Sequence, residues 1–282
     1  MKKLFVSDCD GTLLNSDAEL EKQTIDAIKR FQDLGGIFMI ATGRDLSRLN
    51  VITSKIDNLV ISSSNGALLT DCDKTNLIHH YVDKEDVISF SKVVEKYNCC
   101  AEYRCIDANY STNDEEYFID KARNSFSKRF SKKSIEDRYE LIYGYKLSFS
   151  YDINQLNKLD VLKMELLFLD DNDNKEEIYN ELAKQLKSCE IIYGMHANHF
   201  EINSKKANKA QAIREYCKIK NIDEDDVIVV GDSYNDVEML KMFNNSYCVA
   251  NGANEAKEVS KGIIDSNNDF GVAKLLNSIC ES

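Results

Sequence analysis

The chain has 282 residues, of which 43% are hydrophobic and 30% are charged. This composition is typical of folded globular proteins and excludes a disordered chain, and the length fits one large domain or two modest ones. The formal net charge of −12 argues against a general affinity for nucleic acid or for an anionic membrane surface.

The N-terminal residues lack the apolar stretch of roughly 7–15 residues that a signal peptide needs, and no segment approaches the roughly 20 apolar residues of a membrane helix. We therefore expect a cytoplasmic protein. The nine cysteines are odd in number and include no Cys-x-x-Cys pair. We expect reduced thiols rather than disulfides or structural zinc.

The first third of the chain alternates predicted strands and helices. Short apolar runs predict strands at 4–6, 37–41 and 59–61, and apolar residues at helical spacing predict a helix over 20–34. Short all-apolar strands separated by amphipathic helices are typical of a parallel sheet that is covered on both faces.

The last third repeats this pattern. We predict helices over 209–220 and 236–243 and strands at 227–230 and 247–250. In both thirds, polar residues follow directly after the strand ends. Open α/β sheets bind their ligands at this carboxyl edge, so we expect a site there.

The middle of the chain has a different pattern. It predicts helices and strands in mixed order, namely helices over 87–97 and 176–186 and strands at 146–150, 163–168, 191–194 and 199–202. We interpret this segment as an α+β insertion. The predicted fold is therefore α/β, with a Rossmann-like parallel-sheet core formed by 1–82 and 203–282 and an inserted α+β domain at 83–202.

Two aspartates, Asp8 and Asp10, follow the first predicted strand in the sequence Asp-Cys-Asp-Gly-Thr. Residues two apart at a strand end can point to the same side, and two such carboxylates repel each other unless a cation lies between them. Mg²⁺ prefers hard oxygen ligands of this kind. Gly11 would let the backbone turn sharply and approach a ligand closely.

A second acidic cluster, at 231–236, follows the strand predicted at 227–230 and contains Asp232 and Asp236. One such cluster alone could be a capping device. Because the carboxyl ends of parallel strands meet at one edge of a sheet, the two clusters would converge on one point, which indicates a metal site.

Two further features are less specific. Thr42-Gly43-Arg44 follows the second predicted strand and could donate hydrogen bonds to a phosphate oxygen, but an ordinary strand-to-helix turn explains it as well. Lys209 opens a predicted helix, and nothing near it in the sequence distinguishes it from a surface lysine.

Taken together, these motifs resemble those of the haloacid dehalogenase-like (HAD) hydrolases, and more narrowly the Cof-type phosphatases. The resemblance spans nearly the whole chain and depends on residues 8–12, 42–44, 65–67, 209 and 231–236. It implies an enzyme that hydrolyses a small phosphorylated metabolite, either a sugar phosphate or a phosphorylated cofactor, with Mg²⁺. It also implies that 83–202 is an α/β cap domain that selects the leaving group and excludes water.

The resemblance implies a role for each matching residue. Asp8 would attack phosphorus and become a transient aspartyl phosphate, and Asp10 would act as general acid and base. Mg²⁺ would be bound by Asp8, the backbone carbonyl of Asp10 and Asp232. Ser233, Asp236 and Arg44 would have supporting roles. The phosphoryl oxygens would be held by Thr42, Gly43, Lys209, Asn235 and the backbone N–H of Cys9.

Two positions depart from the family's pattern. Ala210 follows Lys209 where the family usually has glycine, and Ala253 stands where the loop after the last core strand often has asparagine. We expect these changes to alter substrate fit rather than to abolish activity.

Within the insertion, the basic segment 121–133 is either a solvated helix face or a site for a second anionic group of the substrate. His196 and His199 are interpreted as strand residues rather than metal ligands, because no carboxylate motif lies near them.

Other functions are compatible with some of these motifs. A phosphomutase of related fold would transfer the phosphoryl group to a second sugar hydroxyl instead of water. A signalling receiver domain also uses clustered aspartates, a threonine and a lysine, but has no reason for a second acidic loop. A non-catalytic phosphometabolite-binding protein would lack at least one of Asp8, Asp10, Lys209 and Asp232, and all four are present. We expect no nucleic-acid, membrane or obligate protein partner.

Overall fold

In the computed structural model, the described residues are 3–116, 147–168, 174–193 and 199–281. The chain divides into two units. The first unit consists of Met1–Arg44, Leu49–Ile78 and Asn208–Ser282, and the second of Asp45–Arg48 and His79–Ala207. The basic segment 121–133 and His196 lie outside the described residues, so the expectations for them stay predictions.

The strands are numbered in chain order as β1 (Leu4–Ser7), β2 (Ile37–Ala41), β3 (Leu59–Ser63), β4 (Leu68–Thr70), β5 (Asn76–His79), β6 (Cys100–Cys105), β7 (Asn109–Ser111), β8 (Leu147–Ser148), β9 (Val161–Leu167), β10 (Cys189–Tyr193), β11 (His199–Ser204), β12 (Val227–Gly231), β13 (Asn245–Val249) and β14 (Gly262–Ile264). The α-helices are α1 (Lys22–Asp33), α2 (Asn50–Thr53), α3 (Lys84–Tyr97), α4 (Lys175–Gln185), α5 (Lys209–Lys220), α6 (Val237–Met242), α7 (Asn254–Val259) and α8 (Gly271–Glu281).

The sheet of the first unit has the strand order β14-β13-β12-β1-β2-β3-β4-β5 among the described residues. β1 pairs in parallel with β12 on one side and with β2 on the other. The chain continues outward from β1 through β2 and β3, whereas β13 and β14 extend the side of β12. The strand order therefore reverses between β1 and β12. Such a switch point is where an open α/β sheet binds its ligands.

Side chains of β1 alternate between the two faces of this sheet, and helices cover both faces. Leu4 and Val6 belong to one apolar cluster with Ile213 of α5. Phe5 points to the opposite face, where its ring centroid lies 6.0 Å from that of Phe31 in α1. Burial on both faces explains why β1 is an uninterrupted apolar run, and it stabilises each large side chain by about 1.5–3 kcal/mol.

The second unit has a sheet with the strand order β10-β11-β9-β6-β7-β8 over the part of it that is described. The pairs that β9 forms with β6 and β11 are antiparallel. One face carries Tyr103, Met164 and Phe200, which share an apolar cluster with Phe90 of α3 and Ile178 of α4. Because side chains alternate along each strand, the residues between these three point to the opposite face.

That opposite face holds a network of buried charges. Arg104 of β6 contacts Glu102 and lies 3.1 Å from Glu165 of β9. Lys163 of β9 lies 2.8 Å from Glu165 and 3.0 Å from Glu201 of β11. Burial alone would raise the pKa of Glu165, but Lys163 and Arg104 hold it well below its ordinary value. Positive and negative side chains therefore compensate one another on this face.

The predicted α/β fold is confirmed. The bounds predicted for β2 and α5 match at both ends, and the other predicted elements overlap observed ones. The sequence pattern did not predict β4, β5, β6, β7 and β14. Within the described ranges, none of the helices combines the length and the apolar character that crossing a bilayer requires.

Candidate active site

Asp8 follows β1 directly and is buried at the carboxyl edge of the first unit's sheet. Its backbone N–H donates to the carbonyl oxygen of Val230 at 2.9 Å, which continues the pairing of β1 with β12 by one residue. Asp232 follows β12 in the same way. The two aspartates therefore leave adjacent strands on the two sides of the switch point.

The turn after Asp8 lies close against Asp232. Gly11 has a φ of +80°, and a Cβ atom on it would lie 2.6 Å from Oδ2 of Asp232. Thr12 donates from Oγ1 to Oδ1 of Asp232 at 2.8 Å. Glycine is required at this turn by the left-handed backbone and by the close approach, and the threonine next to it orients the Asp232 carboxylate.

Asp236 closes the loop after β12. Its Oδ2 accepts hydrogen bonds from the backbone N–H groups of Asp232 and Ser233, both at 3.0 Å. Gly231 permits this arrangement, because a Cβ atom there would lie 2.6 Å from Cβ of Asp236. The Asp236 side chain is fully buried, so its charge requires compensation inside the protein.

Lys209, the first residue of α5, supplies that compensation. Its Nζ lies 2.7 Å from Oδ1 of Asp8 and 2.7 Å from Oδ1 of Asp236. Burial disfavours the ammonium, yet the two carboxylates raise the pKa of Lys209 above its ordinary value, so the side chain is charged. A lysine with no distinguishing signal in the sequence thus lies against the aspartate cluster.

Three carboxylates meet at this point, since Asp8, Asp232 and Asp236 each place an oxygen within 4.8 Å of the other two. Burial and the neighbouring carboxylates raise the pKa of Asp8 well above its ordinary value, although Lys209 opposes them. Burial and Asp236 raise the pKa of Asp232 to about 6. The cluster therefore carries more negative charge than one lysine compensates, and a divalent cation would relieve the excess.

The chemistry of the donors fits Mg²⁺, because every ligand in the cluster is a hard oxygen. Asp236 already accepts hydrogen bonds at both carboxylate oxygens, so Asp8 and Asp232 are better placed to bind a cation. Cys9 is fully buried beside them, and burial raises the pKa of its thiol. A neutral buried thiol is a packing group rather than a metal ligand.

The Asp10 carboxylate pairs with Arg44. Arg44 donates from Nε to Oδ2 of Asp10 at 2.7 Å and from a terminal nitrogen to Oδ1 at 2.8 Å. The Arg44 side chain is 6% exposed and that of Asp10 is 25% exposed. A two-point contact of this kind fixes the plane of a carboxylate, so Asp10 is held in one orientation at the edge of the site.

The other predicted residues lie in the loops after β2 and β12. Oγ1 of Thr42 accepts a hydrogen bond from the backbone N–H of Arg44 at 3.1 Å. Ser233 donates from Oγ to Oδ1 of Asn235 at 2.8 Å. Asn235 donates from Nδ2 to Oδ1 of Asn65 at 3.2 Å. The first unit thus brings together loops that are far apart in the sequence.

Two asparagines to which neither the local sequence nor the family resemblance gives a role contact these loops. Oδ1 of Asn65 lies where a side chain at Gly43 would be, 2.9 Å from the position of a Cβ atom. Asn251 donates from Nδ2 to the carbonyl oxygen of Gly11 at 2.7 Å. Asn65 belongs to the motif at 65–67, but no local pattern marks either side chain as a link between loops.

Ala253 and Ala210, the two departures from the family's pattern, make contacts that need no polar side chain. Ala253 uses its backbone, whose N–H donates to the carbonyl oxygen of Asp232 at 2.7 Å. Ala210 is fully buried in the apolar cluster beneath the sheet. Ala253 therefore supports the loop that carries Asp232 through a contact that does not require an asparagine side chain.

Comparison with known proteins identifies the family of this chain. A family model described as haloacid dehalogenase-like hydrolase matches residues 5–276. Phosphatase YwpJ of Bacillus subtilis (strain 168) is 24% identical over 285 residues, which cover 98% of this chain and 99% of the relative. The 5-amino-6-(5-phospho-D-ribitylamino)uracil phosphatase YwtE of the same organism is 24% identical over 286 residues, 98% of each chain.

A solved structure shows the same fold. The haloacid dehalogenase-like hydrolase from B. subtilis matches with a TM-score of 0.82 at 22% identity, covering 98% of this chain and 99% of that chain. The family model covers nearly the whole sequence, including both acidic loops and Lys209. This protein belongs to the haloacid dehalogenase-like hydrolases.

Proposed function

We propose that this protein is a Mg²⁺-dependent phosphatase that hydrolyses a small phosphorylated metabolite through an aspartyl phosphate on Asp8. The observation that carries the proposal is the position of Asp8 at a switch point of the sheet, 2.7 Å from the cation Lys209 and within 4.8 Å of a carboxylate oxygen of Asp232. The phosphatase names of full-length relatives support the same reaction class.

Asp8, Asp232 and the backbone carbonyl of Asp10 would hold the Mg²⁺ ion, with Ser233 and Asp236 in support. When bound, the ion supplies positive charge for the phosphoryl oxygens and for the excess of carboxylates. Thr12 and Asp236 keep the Asp232 carboxylate and its loop in place for this role.

Asp8 acts as the nucleophile. Its carboxylate oxygen forms a bond to phosphorus while the bond from phosphorus to the leaving oxygen breaks, and the aspartyl phosphate results. Water then attacks this intermediate, which releases inorganic phosphate and restores the carboxylate. Lys209 favours the ionised, nucleophilic form of Asp8 against the effect of burial.

Asp10 transfers the protons. It donates one to the leaving oxygen in the first step and accepts one from the attacking water in the second. Its side chain is the most exposed of the Asp8, Asp10 and Asp236 carboxylates, so it can reach a bound substrate. Arg44 orients it between the two steps.

The phosphoryl oxygens are held by groups from several loops. We assign them to the Thr42 hydroxyl, the backbone N–H groups of Cys9 and Gly43, and the side chains of Lys209 and Asn235. Phosphoryl transfer depends on positioning and on neutralisation of the phosphoryl oxygens, and a lysine with several hydrogen-bond donors provides both.

We further propose that 1–82 and 203–282 form the catalytic core and that 83–202 is the cap that selects the leaving group. The second unit has its own apolar core and its own sheet, as an inserted domain does. We take the leaving group to be the alcohol of a sugar phosphate or of a phosphorylated cofactor.

A phosphate-release screen over a panel of phosphorylated metabolites tests the proposal. The wild-type protein should release phosphate from at least one of them only when Mg²⁺ is present. Asp8→Asn should be inactive, and Asp57→Asn, a change of the same type at an exposed position, should not. Equal release by the wild type and by Asp8→Asn across the panel would contradict the assignment.

A further inference from the structure

The turn that follows β3, Ser64–Gly66, contacts several elements of the first unit. The backbone N–H of Asn65 donates to the carbonyl oxygen of Thr42 at 2.9 Å. The backbone N–H of Ser64 donates to the carbonyl oxygen of Arg44 at 2.8 Å. The loop after β2, to which phosphate binding is assigned above, is therefore held at both ends by this turn.

The Asn65 side chain reaches a second loop, the one after β12. Its Oδ1 accepts from Nδ2 of Asn235 at 3.2 Å. The same oxygen lies 2.9 Å from the place of a Cβ atom on Gly43. One side-chain oxygen thus sets the spacing between a residue of the loop after β2 and a residue of the loop after β12.

Gly66 brings the turn against a third element, the start of α5. It has a φ of +92°, and a Cβ atom on it would lie 2.5 Å from the carbonyl oxygen of Asn208. Asn208 directly precedes Lys209 and caps the helix by accepting a hydrogen bond from the backbone N–H of Gln211 at 3.2 Å. A side chain at Gly66 would displace the residue that positions Lys209.

A hairpin connection alone does not explain this arrangement. β3 and β4 pair in antiparallel fashion, and Asn-Gly is common between such strands because both residues tolerate a positive φ. A turn asparagine of that kind can face solvent, as the exposed Asn58 does at a φ of +55°. Asn65 is 6% exposed instead, at a φ of +56°.

Other features of the turn also indicate a role beyond chain reversal. Ser64 has a φ of +50°, a conformation that is strained for serine. The hydroxyl groups of Ser62, Ser63 and Ser64 are buried and have no hydrogen-bond partner among the described residues. Backbone strain of this kind is concentrated at functional sites, and a buried polar group without a partner calls for an explanation such as a functional role.

We propose that Asn65 is a positioning residue for phosphate binding, which holds Gly43 and Asn235 at the spacing that a phosphoryl group requires. This inference rests on the proposed function, since it takes the phosphate site to be formed by the loops after β2 and β12. Asn65 acts on phosphate through these two residues and leaves the aspartate cluster unchanged.

The test compares two glycine substitutions. Asn65→Gly removes the side chain and keeps a residue that adopts a positive φ readily, and Asn58→Gly makes the same change at an exposed position. Titration calorimetry measures the Kd of inorganic phosphate with saturating Mg²⁺, and separately the Kd of Mg²⁺. Asn65→Gly should weaken phosphate binding about tenfold, and Asn58→Gly by less than about twofold, with the affinity for Mg²⁺ unchanged in both.

A double-substitution cycle adds a readout that a purely structural role would not change. In an Asn235→Ala background, Asn65→Gly should weaken phosphate binding by less than about threefold further, because its partner is already absent. Equal phosphate affinities for Asn65→Gly and Asn58→Gly, or fully additive effects in the cycle, would overturn the inference. Turnover that persists in Asp8→Asn would refute the proposed function instead, and the phosphate affinities would still decide the role of Asn65.

Discussion

Replacing Lys209 with methionine removes the cation between two buried carboxylates and keeps a side chain of similar length. Lys209 is bonded to Asp8 and to Asp236 at 2.7 Å each, and its side chain is 1% exposed. Removing one partner of a buried ion pair costs about 3–5 kcal/mol of unfolding free energy. Because two carboxylates lose their partner here, we expect a loss near the upper end, about 5 kcal/mol at neutral pH without Mg²⁺.

Urea unfolding of the metal-free protein, followed by circular dichroism, measures this loss. Lys218→Met is the matched control, because Lys218 is an exposed lysine of the same helix, and it should change stability by less than about 0.5 kcal/mol. Adding Asp236→Asn to Lys209→Met should recover about 1–3 kcal/mol, since it removes one of the two uncompensated charges.

The loss of stability caused by Lys209→Met should depend on pH. Lys209 holds down a pKa of Asp8 that burial raises, so its loss raises that pKa further. Protonation of Asp8 at low pH then removes uncompensated charge, and the difference in unfolding free energy between Lys209→Met and wild type should shrink as the pH falls. A loss below about 1 kcal/mol at neutral pH, or no recovery with Asp236→Asn, would refute the reasoning.

Three further outcomes are expected. Gly11→Ala should destabilise the protein by about 1–3 kcal/mol in thermal unfolding and weaken Mg²⁺ binding, because the new Cβ atom would lie 2.6 Å from Asp232 Oδ2 at a φ of +80°. Mg²⁺ affinity measured by calorimetry should fall as the pH drops through the Asp232 pKa of about 6, because the proton competes with the ion, and an affinity unchanged across that range would exclude Asp232 as a ligand. Lys163→Met should cost about 3–5 kcal/mol at neutral pH, because Glu165 and Glu201 lose a buried partner. The pKa of Glu201 is lowered from 4.5 to about 2, so the wild type loses this stabilisation as the pH falls from about 4.5 to about 2. The unfolding free energies of the wild type and of Lys163→Met should therefore become similar in acid.

The strands that form the centre of the first sheet could be predicted from the sequence. β1, β2 and β12 are buried on both faces, so they appear as short apolar runs that few other structures produce. β6 was missed for the opposite reason. Glu102 and Arg104 lie on its buried charged face, and charged residues in a short segment indicate a loop unless their partners on neighbouring strands are known.

The chemistry of the site could be predicted only in part. The two acidic loops were visible because each directly follows an apolar strand. The contacts that distinguish the residues were not visible, since Lys209 meets Asp8 across 201 positions of sequence and Asn65 meets Asn235 across 170. Such pairs depend on strand order and helix placement, which no local pattern specifies.

The measurement that tests the central claim most directly is mass spectrometry of the protein after acid quenching during turnover. With Mg²⁺ and a substrate found in the phosphate-release screen, we expect the peptide that contains Asp8 to gain one phosphoryl group, and we expect no such gain in Asp8→Asn. A phosphoryl group on another residue, or turnover by Asp8→Asn at the wild-type rate, would contradict the assignment of Asp8 as the nucleophile.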